Sequence, residues 1–149
     1  MQRVLSLVST KYADLWTGAK AFYKVELIVA DGGEVVLYAP HIGEVCVTHP
    51  QVAEIGYHCR DYFVAQWDRF KTYPWADLAH STLLRGAGTY DGEERCRVAV
   101  TLATGLSEER TRAASLTYRD PAGIDPAEWA TDPETLVVEN AGEELYRLR

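Results

Sequence analysis

Residues 4–41 read VLSLVSTKYADLWTGAKAFYKVELIVADGGEVVLYAPH, and this stretch decides the fold. It begins with the apolar run Val4–Val8 and closes with a second apolar run over residues 34–40. Between them, a segment that begins near Asp14, an N-cap residue type, carries apolar residues at helical spacing. Strand, helix and strand in this order predict one crossover unit of a parallel sheet.

The rest of the chain extends this pattern. Val98–Leu102 and Leu136–Val138 predict a third and a fourth strand, and Ser107 is a good N-cap for a helix that follows the third strand. Ala141–Leu148 is predicted to close the chain as a loop or edge segment. Together these segments predict one α/β domain over residues 1–149: an open, mainly parallel sheet of about four strands with helices on both faces, a Rossmann-like three-layer sandwich.

Residues 51–70 predict a helical region that is broken at Gly56. Within it, aromatic and polar side chains recur at spacings of three and four, which predicts a buried aromatic stripe; its members are Tyr62, Phe63, Gln66, Trp67 and Phe70.

Composition excludes several classes of function. The 149 residues carry a formal net charge of -7, which argues against nucleic acid as the main partner because phosphate binding needs a basic face. No apolar run approaches the ~20 residues of a membrane span, and no signal peptide is expected, so we expect a cytoplasmic protein without membrane contact. The three cysteines, Cys46, Cys59 and Cys96, have no close pairing and predict reduced thiols.

The carboxyl ends of parallel strands meet at one edge of a sheet, and ligands bind there in open α/β folds. The sequence places Asp14 and His41 at this edge. The stem of Lys20 leans back toward it, and free amides at the helix start together with this lysine would suit a carboxylate. The ordinary alternative is a solvated lysine on an exposed helix face.

Two other groupings have simpler explanations. His41, Cys46 and His49 are metal-ligand types, but structural zinc needs four ligands and no fourth is evident, so no metal site is predicted. His80 and Ser81 would need a third partner to form a catalytic triad, and a hydrogen-bonded structural histidine explains His80 better.

Several runs nevertheless resemble, in the same order, the carboxy-terminal domain of the nickel-dependent lactate racemase family, in its lactate-racemase-like branch. The resemblance covers essentially the whole chain and rests on residues 12–20, 29–34, 38–42, 56–63, 79–82, 101–105 and 141–148.

The resemblance implies a substrate-side role. Enzymes of this family place the active site between two α/β domains, and their cofactor is a nickel-pincer nucleotide that is held by the amino-terminal domain. By this analogy Lys20 holds the substrate, and Trp16 and Thr17 line the pocket. His41 and His80 are candidates for the pocket edge. No catalytic residue and no cofactor is assigned to this chain alone.

The sequence also departs from the family pattern. Nothing in it matches the cofactor-binding half, and Leu83 and Cys46 replace residues that are expected to be polar. We therefore expect the substrate-side domain of a 2-hydroxy acid racemase or epimerase, inactive without an amino-terminal cofactor domain or a homologous partner chain. The alternative is a non-catalytic interaction or small-carboxylate-binding domain. An apolar face left by the missing half would favour a homodimer.

Overall fold

A computed structural model describes residues 1–147, so Leu148 of the predicted closing segment lies outside the described residues. The strands are β1 Arg3–Val8, β2 Glu34–Ala39, β3 Gly88–Tyr90, β4 Glu94–Cys96, β5 Ala99–Thr104, β6 Thr117–Tyr118 and β7 Thr135–Ala141. The helices are α1 Leu15–Gly18, α2 Lys20–Tyr23, α3 Gln51–Ile55, α4 Arg60–Ala65, α5 Trp67–Phe70, α6 Trp75–His80, α7 Glu108–Ala113 and α8 Pro126–Trp129.

Five strands form the main sheet in the order β6-β5-β2-β1-β7, and every neighbouring pair is parallel. The predicted α/β fold class with an open parallel sheet is confirmed. The fifth strand, β6, is only two residues long and pairs with β5 at the edge, which explains why no strand pattern marked it in the sequence.

The sheet is apolar on both faces because its strands are nearly continuous apolar runs, whose successive side chains point to opposite faces. Val35 and Leu37 of β2 pack in the larger core with α1 and α2, whereas Val36 lies in a second core on the other face with Ile124 and Trp129. In β1, the buried Ser6 hydroxyl donates to the Ala21 carbonyl oxygen at 2.9 Å, so the one buried polar side chain of that strand is satisfied by α2.

The predicted first helix begins where expected but is divided. Asp14 caps α1, its carboxylate accepting from the Thr17 amide at 3.2 Å. Ala19 is the single residue between α1 and α2; it keeps right-handed helical angles, and its backbone N–H donates to the Leu15 carbonyl at 2.9 Å, so the two helices follow one another with only a local irregularity. A 3-10 turn over Glu26–Ile28 then leads toward β2.

The helical region over residues 51–70 is broken at Gly56, as predicted, where φ is 77°. The aromatic stripe is buried only in part: Phe63 and Phe70 lie in a small core, but Trp67 is 43% exposed. The prediction of a buried stripe is therefore wrong for Trp67, which borders an open groove between α4, α5 and α6.

Strands β3 and β4 form a β-hairpin that the sequence does not predict; the sequence marks only its turn, at Asp91 and Gly92.

No helix within residues 1–147 is long and apolar enough to cross a membrane.

Candidate functional site

The parallel strands bring their carboxyl ends to one edge, where the loop after β1, the loop after β2 and the segment after β7 meet. Tyr12, in the first of these loops, connects all three. Its hydroxyl donates to the Gly142 carbonyl at 3.0 Å, and its own carbonyl accepts from His41 Nε2 at 3.2 Å.

Lys20 extends over this tyrosine. Its ammonium lies 5.3 Å from the centre of the Tyr12 ring, a cation–π distance. Among residues 1–147 no carboxylate forms an ion pair with it. Gly142 allows the close approach of the β7 segment, because an added Cβ there would lie 2.7 Å from the Tyr12 ring and 3.2 Å from Lys20 Cβ. Within the described part of the chain, Lys20 therefore has no acidic partner and presents its charge at the ligand edge.

The segment after β7 is anchored by Glu143. Its carboxylate accepts from the Ser9 hydroxyl at 2.7 Å and from Lys11 Nζ at 2.9 Å, and these hydrogen bonds hold the pKa of Glu143 below its ordinary value. The Glu143 carbonyl accepts from Lys24 Nζ at 3.4 Å. Glu143 thus pairs with Lys11 and not with Lys20.

The expected free amides at the start of α1 are not free, and this part of the prediction is wrong. The Leu15 amide donates to the Glu44 carbonyl and the Trp16 amide donates to the Val45 carbonyl, both at 3.1 Å. The Thr17 amide is taken by the Asp14 cap. A ligand carboxylate would therefore depend on side chains, with Lys20 foremost.

Thr17 and Trp16 are both engaged within the protein. The Thr17 hydroxyl donates to the Asp14 carboxylate at 3.1 Å, which leaves its oxygen lone pairs as acceptors. The Trp16 ring stacks between two imidazoles, with centroids 4.1 Å from His49 at an interplanar angle of 5° and 4.1 Å from His80 at 24°. These contacts fix the orientation of the indole beside α1.

His80 is buried beneath Trp16, only 4% exposed, and so does not line an open pocket edge. Its Nε2 is hydrogen-bonded to the Tyr57 hydroxyl at 3.0 Å, in keeping with the structural role inferred from the sequence. Burial, opposed by the nearby carboxylates of Asp14 and Asp77 and reinforced by His49, lowers the pKa of His80 to about 4. His80 is therefore neutral at physiological pH.

His41, by contrast, is exposed and borders an open cleft of about 560 Å³ beside Leu7 and Tyr38. The buried Ser81 hydroxyl has no hydrogen-bond partner among the described residues, so it is not paired with His80 as a triad would require. No group of three His, Cys, Asp or Glu side chains within residues 1–147 is arranged to hold a metal ion.

The roles of three residues in this region are not predicted from the sequence: Tyr12, His49 as a stacking partner of Trp16, and Asp77. The buried carboxylate of Asp77 accepts from His49 Nδ1 at 2.7 Å. Tyr12 had a usable signal, since it lies in the first loop at the carboxyl edge. Asp77 had none, because a lone aspartate in a short helix is ordinarily exposed.

Fold and site thus define an α/β protein with an open parallel sheet and, at its ligand edge, a lysine that has no acidic partner within residues 1–147. No protein-family model and no curated protein matches the chain. It is similar to a solved structure, the crystal structure of a Thermotoga maritima protein that was a target of the Northeast Structural Genomics Consortium. The two are 34% identical with a TM-score of 0.92, and the match covers 100% of this chain but 37% of that one.

Proposed function

We propose that this chain is the substrate-side domain of a racemase or epimerase for small 2-hydroxy acids, resembling the carboxy-terminal domain of nickel-dependent lactate racemases. In this role Lys20 binds the substrate carboxylate, and Trp16 and Thr17 form the adjoining wall. The observation that carries the proposal is the Lys20 ammonium over the Tyr12 ring, without an acidic partner among residues 1–147, at the edge where open α/β sheets bind ligands.

The chemical half of the reaction is assigned to a partner. By the resemblance, racemisation at C2 proceeds by reversible hydride transfer, and the nickel-pincer nucleotide would supply the hydride acceptor when it is bound. Residues 1–147 offer no three-ligand set for nickel, so the proposed holder is an amino-terminal cofactor domain or a homologous chain. This chain's own contribution is to bind and orient the acid.

The three free cysteines support a cytoplasmic location.

Replacement of Lys20 by alanine is expected to weaken lactate binding to the full chain by roughly ten- to hundred-fold, because a charge-assisted hydrogen bond contributes about 1.5–3 kcal/mol. NMR titration measures this directly. Lys24→Ala is the matched control, since Lys24 is near in sequence but its ammonium contacts a backbone carbonyl. If the Lys20→Ala variant and the wild type bind lactate with equal affinity, Lys20 does not bind the carboxylate.

Reconstitution tests the reaction itself. The chain is mixed with the cofactor-loaded amino-terminal half of a relative, and racemisation is followed over a panel of 2-hydroxy acids. Activity that is lost with Lys20→Ala and kept with Lys24→Ala is the expected result. If no acid in the panel is racemised, the racemase assignment fails even where carboxylate binding persists.

A specific observation favours the second candidate, an interaction domain. Val64, Trp67 and Trp75 are 63%, 43% and 77% exposed and form an apolar patch, which we call the tryptophan face. The two indoles meet edge to face at 6.3 Å beside a groove of about 430 Å³ whose floor includes Phe63 and Leu78. Exposed tryptophans around an apolar groove are typical of protein interfaces.

A second copy of this chain is the occupant that fits the face best. Trp75 projects beside the groove, so the same face carries both a protruding side chain and a cavity. A two-fold interface needs such a self-complementary surface, because both subunits use the same patch. The rim also mixes charges, with Arg60 and Lys71 near Asp61 and Asp68. Two copies that each carry a net charge of -7 would therefore meet where local charge is nearly balanced.

Sedimentation velocity tests this pairing. The wild type is expected to dimerise with rising concentration, and Trp75→Glu is expected to remain monomeric, since it places a carboxylate at the centre of the interface. Val47→Glu changes a residue that is 71% exposed elsewhere and controls for added charge. A wild type that stays monomeric at high concentration would rule out the second copy as occupant.

A further inference from the structure

His49 differs from the other histidines of the chain. His41 donates to a backbone carbonyl and His80 is buried against Tyr57. His58 also pairs with a carboxylate, that of Glu94, but its side chain is only 13% exposed and lies beside the hairpin. The side chain of His49 is 37% exposed, and its Nδ1 is held by the buried Asp77.

The orientation of this imidazole is fixed from three directions. Nδ1–H donates to Asp77 at 2.7 Å, the ring stacks in parallel on Trp16, and the backbone amide of His49 donates to Cys46 Sγ at 3.2 Å. The loop that carries His49 is itself joined to the start of α1, because the Val47 amide donates to Asp14 at 3.3 Å. Such support holds a functional side chain in place before a ligand arrives.

One nitrogen of the ring remains available. Nε2 has no hydrogen-bond partner among residues 1–147, and it is not among the buried unpartnered side-chain atoms, which are Ser81 Oγ and Thr111 Oγ1. With Nδ1 bearing the proton that Asp77 accepts, Nε2 of the neutral ring is a hydrogen-bond acceptor. A buried carboxylate that orients a partly exposed imidazole is the arrangement by which proteins present a histidine to a hydroxyl group.

The position of His49 relative to Lys20 follows from Trp16. Lys20 lies four residues beyond Trp16, and Ala19 between them keeps right-handed helical angles, with φ of -56° and ψ of -21°. Side chains four apart on a helix are neighbours, with Cβ atoms about 5–6 Å apart. His49, stacked on Trp16, and Lys20 therefore flank the same short stretch of helix.

We infer that His49, positioned by Asp77, accepts a hydrogen bond from the hydroxyl group of a 2-hydroxy acid whose carboxylate is bound by Lys20. This inference rests on the proposed function and makes it more specific: Lys20 recognises the carboxylate, and His49 distinguishes a 2-hydroxy acid from a simple carboxylic acid.

The test compares lactate with propionate, which lacks the hydroxyl, in NMR titrations of the full chain. The wild type is expected to bind lactate more tightly. His49→Asn keeps an amide that reaches Asp77 but removes Nε2, and is expected to weaken lactate binding roughly three- to ten-fold while propionate binding stays unchanged. Lys20→Ala weakens both acids. His58→Asn, which changes the other carboxylate-bound imidazole, is the matched control and should alter neither.

A second measurement needs no variant: lactate, but not propionate, is expected to shift the ¹⁵N resonance of His49 Nε2. If Lys20→Ala weakens both acids while His49→Asn keeps the wild-type preference and the Nε2 resonance does not move, this inference fails and the carboxylate site stands. If neither acid binds the wild type, the carboxylate site fails and the inference fails with it.

Discussion

Lowering the pH from 8 to 5 is expected to reduce the free energy of unfolding of the wild type by about 2 kcal/mol more than that of a His80→Gln variant. The cause is the burial of His80, which lowers its pKa from an ordinary 6.5 to about 4 in the folded protein. Between these values the unfolded chain binds a proton that the folded chain excludes. The stabilisation is therefore complete above pH 6.5 and is lost as the pH falls toward 4.

Urea denaturation at a series of pH values measures this difference. Glutamine can still hydrogen-bond the Tyr57 hydroxyl but loses the stacking on Trp16, so the pH dependence of the free energy of unfolding is compared and not its absolute value. The same substitution at the exposed His41 controls for the loss of an imidazole as such. Parallel pH curves for the wild type and His80→Gln would contradict the assignment, as would direct NMR titration of His80 near pH 6.5.

Gly33→Ala is expected to destabilise the protein by about 3 kcal/mol, the upper range for overpacking a closely fitted site. A Cβ at this position would lie 2.5 Å from the Gln2 carbonyl oxygen and 2.9 Å from that of Ala30. Both are backbone atoms at the point where the turn enters β2 beside β1, so neither yields without loss of strand pairing. Thermal and urea unfolding measure the change.

Two other glycine-to-alanine variants test whether contact with backbone atoms causes the destabilisation of Gly33→Ala. Gly123→Ala has no atom within 4 Å of the added Cβ, and is expected to change the free energy of unfolding by less than about 0.5 kcal/mol. Gly32→Ala also has open space but a φ of 77°, and should cost about 1 kcal/mol through backbone strain. A Gly33→Ala variant no less stable than Gly32→Ala would show that backbone contact is not the cause.

These glycines also show which features of the turn can be predicted from the local sequence and which cannot. The Asp31–Gly33 sequence indicates a turn in which the glycines can supply a positive φ, and Gly32 has that conformation. Gly33 is required for a different reason, close approach to the chain at Gln2, and that neighbour is a product of strand pairing. The sequence marked the position of the turn but not the cause of its second glycine.

The candidate site divides in the same way. The position of Lys20 at the ligand edge could be predicted, since it follows from the order of the strands and the direction of the helix after β1. The state of the α1 amides could not, because their acceptors, Glu44 and Val45, lie in a loop whose path depends on packing. The role of His49 was hidden for the same reason, since its partner Asp77 lies 28 residues away in the chain.

The sequence by itself determined the main elements of this protein: the apolar strands β1, β2, β5 and β7, the caps at Asp14 and Ser107, and the break at Gly56. These depend on apolar runs and on hydrogen bonds within a few residues, so short stretches of chain encode them. Only the tertiary structure decided that Trp16 lies between His49 and His80, and that the Lys20 ammonium rests on the Tyr12 ring. Those contacts join distant segments, and they exist only because folding the sheet brings the loops at its carboxyl edge together.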